Sequence, residues 1–182
     1  MTARPGARAD GAPVCVLVGT MGAGKTTVGR LLAGALGAGF ADTDAVIEQR
    51  AGKTVQEVFV DDGEQAFREL ERAVVAEHLA GHDGVLSLGG GAVLDAGTRD
   101  LLAAHRVVFL RVGLSEAVKR VGLGVGRPLL LGNVRSRVKQ LLDERTPVYE
   151  GLATIVVDTD ERTPQDVAAE ILTHIATPEE PS

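Results

Sequence analysis

The sequence has a single cysteine, no tryptophan and few aromatic residues of any kind. Aromatic residues make up 3% of the 182 residues, whereas hydrophobic residues make up 45%, so the core must be built from aliphatic side chains. Cys15 cannot form an internal disulfide bond, and its place inside the apolar run VCVLVG predicts a buried thiol rather than a reactive one. No apolar run approaches the length of about eighteen residues that a transmembrane helix needs.

Acidic residues outnumber basic ones, and the first residues carry no hydrophobic segment. The net charge of −6 argues against an electrostatic grip on nucleic acid or on an anionic membrane. Without the hydrophobic stretch of a secretory signal, we expect a cytoplasmic protein. We expect residues 1–12 to form a disordered arm, residues 13–176 a single domain and residues 177–182 a frayed tail.

Short apolar runs alternate with segments of helical periodicity along the chain. Strands are predicted at 13–19, near Phe40, and at 84–89, 106–112 and 154–158. Helices are predicted at about 25–37, 44–51, 54–60, 63–80, 97–104, 115–120, 134–149 and 164–175. Continuously apolar strands separated by helices indicate an α/β domain with a parallel sheet covered by helices on both faces. The Gly-rich segment at 121–133 has no periodicity, and we predict a mobile lid there.

The stretch GTMGAGKTT (19–27) fits the phosphate-loop pattern G-x-x-x-x-G-K-[ST]. Its glycines would turn backbone N–H groups toward phosphate oxygens, Lys25 would meet the β- and γ-phosphates, and the Thr26 hydroxyl could ligate Mg²⁺. A plain Gly-rich turn is the alternative, but the motif follows a predicted strand and opens a predicted helix, as phosphate binding requires. The sequence therefore predicts a nucleoside-triphosphate site at Gly22, Ala23, Gly24, Lys25, Thr26 and Thr27.

The rest of the sequence narrows the class of nucleotide-binding protein. A GTPase reads guanine with an Asn-Lys-x-Asp element, but the only asparagine is Asn133, in the stretch GNVRS. Motors and large ATPases have an Asp or Glu at the end of a later apolar strand, where this chain reads Ser-Leu-Gly at 87–89. A kinase of small molecules, nucleotide kinases included, remains compatible with the length.

A pair of aspartates follows the short strand near Phe40. Asp42 and Asp44, in FADTD, lie on the same side of the chain if the backbone stays extended. One carboxylate could order the water shell of Mg²⁺, and the other could orient or deprotonate an attacking hydroxyl group. A helix N-cap plus a solvated charge is the alternative.

Three arginines are further candidates for the site. Arg68 has Glu64 and Glu71 at helical spacing, a pattern that by itself favours an exposed ion pair. Arg127 lies in the predicted lid, where it could close over a transferring phosphoryl group. Arg145 is predicted near the end of a helix, in the stretch ERTPVYEGLA.

Three consecutive glycines interrupt the apolar stretch VLSLGGGAVL (85–94). Each glycine gives up side-chain packing and costs backbone entropy. Gly89, Gly90 and Gly91 therefore indicate that something must approach this backbone closely.

In their order along the chain, these motifs resemble those of the shikimate kinase family. The resemblance covers about residues 13–175 and rests on GTMGAGKTT, DTD, GEQAFRELE, LSLGGGAV, GRPLL and ERTPVYEGLA, at approximately the family's spacing. It implies a P-loop kinase fold like that of nucleoside monophosphate kinases, with a five-stranded parallel sheet, a substrate-binding segment and a closing lid. It also implies a monomer that transfers the γ-phosphoryl group of ATP to the 3-hydroxyl group of shikimate, within aromatic amino-acid biosynthesis.

The resemblance also implies roles for individual residues. Catalytic roles fall on Lys25, Asp44 and Arg127, with Asp44 as the base. ATP would contact the phosphate loop together with Arg120, Arg127 and Pro164, and Mg²⁺ would be held by Thr26 and, through water, by Asp42. The residues expected to form the shikimate site are Asp44, Arg68, Glu71, Gly89, Gly90, Gly91 and Arg145, the two arginines binding its carboxylate and Glu71 supporting Arg68.

The departures from the family pattern are small. The phosphate loop ends Lys-Thr-Thr where Lys-Ser-Thr is common, and the predicted lid, VGLGVG, is rich in glycine and poor in polar residues. Two alternatives stay open. One is another small-molecule kinase of the same fold, acting on gluconate or a nucleoside monophosphate, and the other is a nucleotide-binding regulator without turnover.

Overall fold

A computed structural model describes residues 10–125 and 131–176 of the chain. Within these residues, five strands form one sheet: β1 (Cys15–Val18), β2 (Gly39–Asp42), β3 (Gly84–Ser87), β4 (Val107–Arg111) and β5 (Ile155–Asp158). The order across the sheet is β2-β3-β1-β4-β5, and every neighbouring pair is parallel. The predicted parallel α/β sheet is confirmed.

The helices connect these strands. They are α1 (Lys25–Leu36), α2 (Thr43–Ala51), α3 (Val55–Asp62), α4 (Glu64–Gly81), α5 (Ala96–Leu102), α6 (Leu114–Val125), α7 (Leu131–Leu152) and α8 (Pro164–Ala176). A short 3₁₀ turn, Ala92–Leu94, follows the three glycines. The predicted helix bounds are confirmed to within two residues, except at α6 and α7.

Alternate residues of the strands pack against helices on opposite faces of the sheet. On one face, Leu17 and Val108 lie in a core that includes residues of α1 and α8. On the other face, Val16, Phe109 and Tyr149 lie in a core shared with α4 and α5. Both faces are therefore covered by helices, as continuously apolar strands predict.

The cysteine lies in this core, as its apolar surroundings in the sequence predict. Cys15 is fully buried in β1, and burial raises the pKa of its thiol to about 12. Its predicted packing role is confirmed. Among the described residues, no helix combines the length and the apolarity needed to cross a bilayer.

A separate small core joins α2, α3 and α4. It contains Ile47, Val58, Phe67 and Val74. Because α2 follows β2 without a loop, this packing fixes α4 relative to the end of β2.

The chain leaves β1, β2 and β3 at the same edge of the sheet. β1 lies between β3 and β4, and the strand order reverses there. In parallel α/β sheets, ligands bind in the crevice outside the carboxyl ends of the strands at such a point. The phosphate loop, the two aspartates and the three glycines all follow strands that end at this crevice.

Two helices extend into the segment that the sequence predicts as a lid. The predicted helix ends near residue 120, but α6 continues to Val125, and α7 begins at Leu131 instead of 134. Gly122 and Gly124 lower the local helix propensity, yet α6 packs against α7, and this contact supports the helix. Residues 126–130, which include Arg127, lie outside the described residues.

The end of α7 also differs from the prediction. Arg145 was expected near a helix end, but α7 continues through Pro147 to Leu152. Proline removes a hydrogen bond and crowds the preceding turn of a helix. Tyr149 and Leu152 pack in the core on this part of α7, and we attribute the continuation of the helix to that packing.

Candidate active site

The segment between β1 and α1 has the backbone that a phosphate loop requires. Gly22 and Gly24 have φ angles of 80° and 91°, in the region that favours glycine. A Cβ atom at Gly19 would lie 2.9 Å from the carbonyl oxygen of Leu110, so a side chain has no room there. α1 begins directly after the loop, and its N-terminal N–H groups and dipole favour an anion at this point. The predicted order of strand, loop and helix is confirmed.

Lys25 is held inside this loop by backbone carbonyl groups. Its Nζ donates to the carbonyl oxygens of Gly19 at 2.8 Å and Thr20 at 3.0 Å. Burial lowers the pKa of Lys25 to about 8, although the carboxylates of Asp44 and Asp42 oppose the shift. The ammonium group is therefore already positioned at the loop, and an anion bound there would favour its charged form.

Asp42 joins the phosphate loop to α2. One carboxylate oxygen accepts a hydrogen bond from the Thr26 hydroxyl at 3.0 Å. The other caps α2 by accepting from the backbone N–H groups of Asp44, at 2.9 Å, and Ala45, at 3.4 Å. The backbone does not stay extended from Asp42 to Asp44, because this cap starts the helix at Thr43. The N-cap interpretation of Asp42 is confirmed, and its role toward Mg²⁺ stays a prediction.

Asp44 lies in the first turn of α2 and faces the first of the three glycines. A Cβ atom at Gly89 would lie 2.5 Å from an oxygen of its carboxylate. Burial raises the pKa of Asp44, and the charge of Asp42 raises it further, whereas Lys25 and Arg68 oppose the shift. A buried carboxylate with a raised pKa is a stronger base than a solvated one.

Arg68 and Glu71 form an ion pair on α4 that is not a surface pair. An Nη1–Oε1 distance of 2.5 Å joins them, and the side chain of Glu71 is only 4% exposed. Burial raises the pKa of Glu71, and the charge of Arg68 opposes that shift. A Cβ atom at Gly91 would lie 2.7 Å from Nη2 of Arg68, so the guanidinium group lies against the third glycine. The prediction of an exposed ion pair, which the helical spacing favours, is therefore wrong.

Arg145 lies against the middle glycine. A Cβ atom at Gly90 would lie 3.1 Å from its Nη1. Its Nε is buried and has no hydrogen-bond partner among the described residues. Gly89, Gly90 and Gly91 therefore face a carboxylate and two guanidinium groups, one glycine to each.

A second cleft opens on the other side of the phosphate loop. It has a volume of about 290 Å³ and is lined in part by Gly24, Thr27, Arg120 and Pro164. Arg120 donates to the carbonyl oxygen of Gly22 at 3.1 Å and, through Nε, to Glu116 at 3.1 Å. Arg120 and Pro164, two of the residues predicted to contact ATP, are thus brought together beside the loop.

Three residues at these clefts were not predicted as site residues from the sequence. Thr43 and Tyr149 bond to the backbone of the glycine segment, and both lie inside the motifs DTD and ERTPVYEGLA. Arg162 lines the second cleft with Pro164. Its position two residues before that proline was the available signal. Two larger depressions on the described surface, along α7, contain none of the predicted site residues.

The chain matches known proteins over most of its length. A family model described as shikimate kinase matches residues 21–176. The chain belongs to the shikimate kinase family. It is 62% identical to a shikimate kinase of Thermobifida fusca over 86% of this chain and 91% of that protein. It is 56% identical to a shikimate kinase of Salinispora arenicola over 91% of this chain and 99% of that protein. As a member of this family, it is an ATP-dependent phosphotransferase.

Solved structures agree with the family and its fold. A shikimate kinase from Acinetobacter baumannii in complex with shikimate superposes with a TM-score of 0.82 at 37% identity, covering 90% of this chain and 92% of that one. A gluconokinase from Sinorhizobium meliloti has a TM-score of 0.59 at 21% identity, over 93% of this chain and 94% of that one, and shares the fold alone.

Proposed function

We propose that Gly89–Gly91 and the charged side chains that face them are where this shikimate kinase binds shikimate. The observation that carries the proposal is that each glycine leaves room beside a different charged group, Asp44, Arg145 or Arg68. Among the described residues, no acceptor takes the N–H groups of Gly90 and Gly91. A small ring bearing a carboxylate and hydroxyl groups suits such a surface, because bare amides can donate to it where side chains would fill the space.

In this proposal the carboxylate of shikimate lies between Arg68 and Arg145. Two guanidinium groups that converge on one site repel each other unless an anion lies between them. Glu71 is buried against Arg68 and holds its guanidinium group in a fixed orientation. Bidentate pairing of arginine with a carboxylate then fixes the ring, and with it the direction of the hydroxyl groups.

Asp44 is the proposed general base. It accepts the proton of the 3-hydroxyl group as that oxygen bonds to the γ-phosphorus of ATP, and the bond from this phosphorus to ADP breaks. Burial raises the pKa of Asp44, so its carboxylate accepts a proton more readily than an exposed one. Lys25 lies near enough to oppose that shift, and its charge would stabilise the phosphates during transfer.

ATP would lie with its phosphates on residues 22–27 and its adenine in the cleft between Arg120 and Pro164. The hydrogen bond from Thr26 to Asp42 brings a hydroxyl and a carboxylate oxygen together, and oxygen donors of this kind fit Mg²⁺. Thr26 would bind the ion directly and Asp42 through water. When bound, Mg²⁺ would neutralise charge on the phosphates.

Five expectations stay predictions: the lid at 121–133, the role of Arg127, the single-domain bounds, the monomeric state and the cytoplasmic location.

One experiment separates shikimate kinase activity from the two alternatives, a kinase of gluconate or nucleotides and a regulator without turnover. The protein is incubated with Mg·ATP and an equimolar mixture of shikimate, gluconate and a nucleoside monophosphate. Mass spectrometry should show shikimate 3-phosphate as the only newly phosphorylated acceptor. Phosphorylation of another acceptor, or none, would contradict the assignment.

A further inference from the structure

Two hydroxyl groups outside the proposed catalytic set hold the glycine segment from different sides. The Thr43 hydroxyl accepts a hydrogen bond from the N–H of Gly89 at 3.0 Å. The Tyr149 hydroxyl donates to the carbonyl oxygen of Gly90 at 2.6 Å. Both residues are fully buried.

The position of the Tyr149 hydroxyl is fixed by the packing of its ring. The ring lies against Phe109 of β4, with 5.0 Å between centroids. Burial raises the pKa of Tyr149 to about 12, and the charge of Arg145 together with a hydrogen bond from that residue only partly opposes this shift. The hydroxyl is therefore a protonated donor at neutral pH. Since Arg145 lies one turn earlier on α7 and faces the same glycine, a single helix sets the positions of both groups relative to Gly90.

Thr43 connects the glycine segment to the aspartates. It is the first residue of α2, between Asp42 and Asp44. Its hydrogen bond to Gly89 therefore sets how closely the backbone of Gly89 approaches the carboxylate of Asp44.

Glycine has no side chain to anchor these residues, so their positions depend on backbone contacts. The carbonyl groups of Gly89 and Gly91 accept from the N–H groups of Ala92 and Leu94, which both lie in the following 3₁₀ turn. Those bonds are local to the segment. The bonds to Thr43 and Tyr149 tie it to α2 and to α7.

We propose that Thr43 and Tyr149 are positioning residues for shikimate, which hold Gly89 and Gly90 at the separation from Asp44 and Arg145 that the acceptor requires. The inference rests on the proposed function, since it takes the glycine segment to be the acceptor site. Neither residue is assigned a contact with the reacting atoms.

Tyr149→Phe tests this inference because it keeps the ring and removes the hydroxyl group, which donates to Gly90 and is also hydrogen-bonded by Arg145; Thr43→Val leaves Arg145 untouched. We expect the KM for shikimate to rise about three- to tenfold, the effect of one lost hydrogen bond, with the KM for ATP within about twofold of the parent. Hydrogen exchange at residues 88–92 should also become faster. Thr43→Val should raise the shikimate KM in the same way, and Thr43→Ser, which retains the hydroxyl, should restore it.

Thr154→Val is the matched control. Its hydroxyl donates to the carbonyl oxygen of Val107 at 3.1 Å, the same kind of bond, at the amino end of β4. This variant should lose little stability, because Thr154 is exposed and its N–H still donates to Val107, and both KM values and exchange at 88–92 should remain unchanged. Parent-like shikimate KM values in Tyr149→Phe and Thr43→Val would overturn the inference, and so would equal changes in Thr154→Val. If Tyr149→Phe does not fold, the comparison of Thr43→Val with Thr43→Ser decides. Failure of the parent to phosphorylate shikimate would instead contradict the proposed function.

Discussion

Removal of Arg68 should have two effects, one on shikimate binding and one on stability, that can be separated. Arg68 contacts Glu71 at 2.5 Å, and their side chains are 26% and 4% exposed. The Arg68→Ala variant therefore loses a partner for the shikimate carboxylate and also leaves a buried carboxylate without its counter-ion. A second substitution, at Glu71, removes the unpaired buried carboxylate and does not replace the lost partner of shikimate.

The effect on binding should be large and confined to one substrate. Truncation of one partner of a desolvated charge pair costs about 2–5 kcal/mol, or roughly 30- to 5,000-fold in affinity. We expect the shikimate KM of Arg68→Ala to rise within this range. The KM for ATP should change little, because Arg68 is not among the residues of the phosphate loop or of the cleft beside it.

The effect on stability should depend on pH. Burial already raises the pKa of Glu71 above its ordinary value of 4.5, and Arg68 opposes that rise. Without Arg68 the pKa rises further, so the folded state binds the proton more tightly than the unfolded state does. Stability is then retained below about pH 4.5 and lost as the pH rises through the raised pKa. At neutral pH we expect a loss of about 3 kcal/mol, the lower end for a broken buried pair, since Arg68 is partly exposed.

The double variant Arg68→Ala/Glu71→Gln separates the two effects. Urea unfolding at pH 4.5 and pH 8, together with steady-state kinetics, should show restored stability and an unrestored shikimate KM. If the KM recovers together with stability, Arg68 acts only through the fold. A parent-like KM in the single variant would also refute the reasoning.

The catalytic roles lead to further predictions. Asp44→Asn should lower kcat by roughly 10²-fold or more, and it should abolish the fall in parent kcat as the pH drops through the raised pKa of Asp44. Gly89→Ala should also lower kcat, because its Cβ would displace the Asp44 carboxylate. Gly34→Ala, whose Cβ would meet no described atom within 4 Å beyond the neighbouring backbone of its own helix, is the control and should remain active. Lys25→Ala should abolish turnover, and near-normal rates would remove the phosphate-loop assignment. Arg127→Ala should lower kcat by about 10³-fold with little change in ATP affinity, by analogy with arginine fingers; an unchanged kcat would contradict its role in the lid.

The features that could be predicted from sequence are those that depend on local patterns. The phosphate loop needs particular residues at fixed spacing, and the alternation of apolar runs with helical periods indicates a parallel sheet. The three glycines signal close approach of another group because each one weakens the local backbone. The structure places Asp44, Arg145 and Arg68 against them.

The features that sequence did not predict depend on contacts between distant elements. The burial of Glu71 follows from how α4 lies beside α2 and the glycine segment, so a spacing of three residues from Arg68 cannot reveal it. The continuation of α7 through Pro147 accompanies core packing that outweighs the local preference. The bond from Tyr149 to Gly90 joins residues 59 positions apart, which no local pattern encodes.

The ratio of kcat/KM for shikimate to that for its methyl ester tests the central claim most directly. The ester keeps every hydroxyl group but lacks the charge that Arg68 and Arg145 would bind. In the parent we expect this ratio to lie between about 30 and 5,000, the range for loss of a desolvated charge partner. In Arg145→Ala the ester should lose most of this disadvantage, because acid and ester then bind nearly alike. Equal use of acid and ester by the parent would contradict the carboxylate site and the acceptor assignment with it.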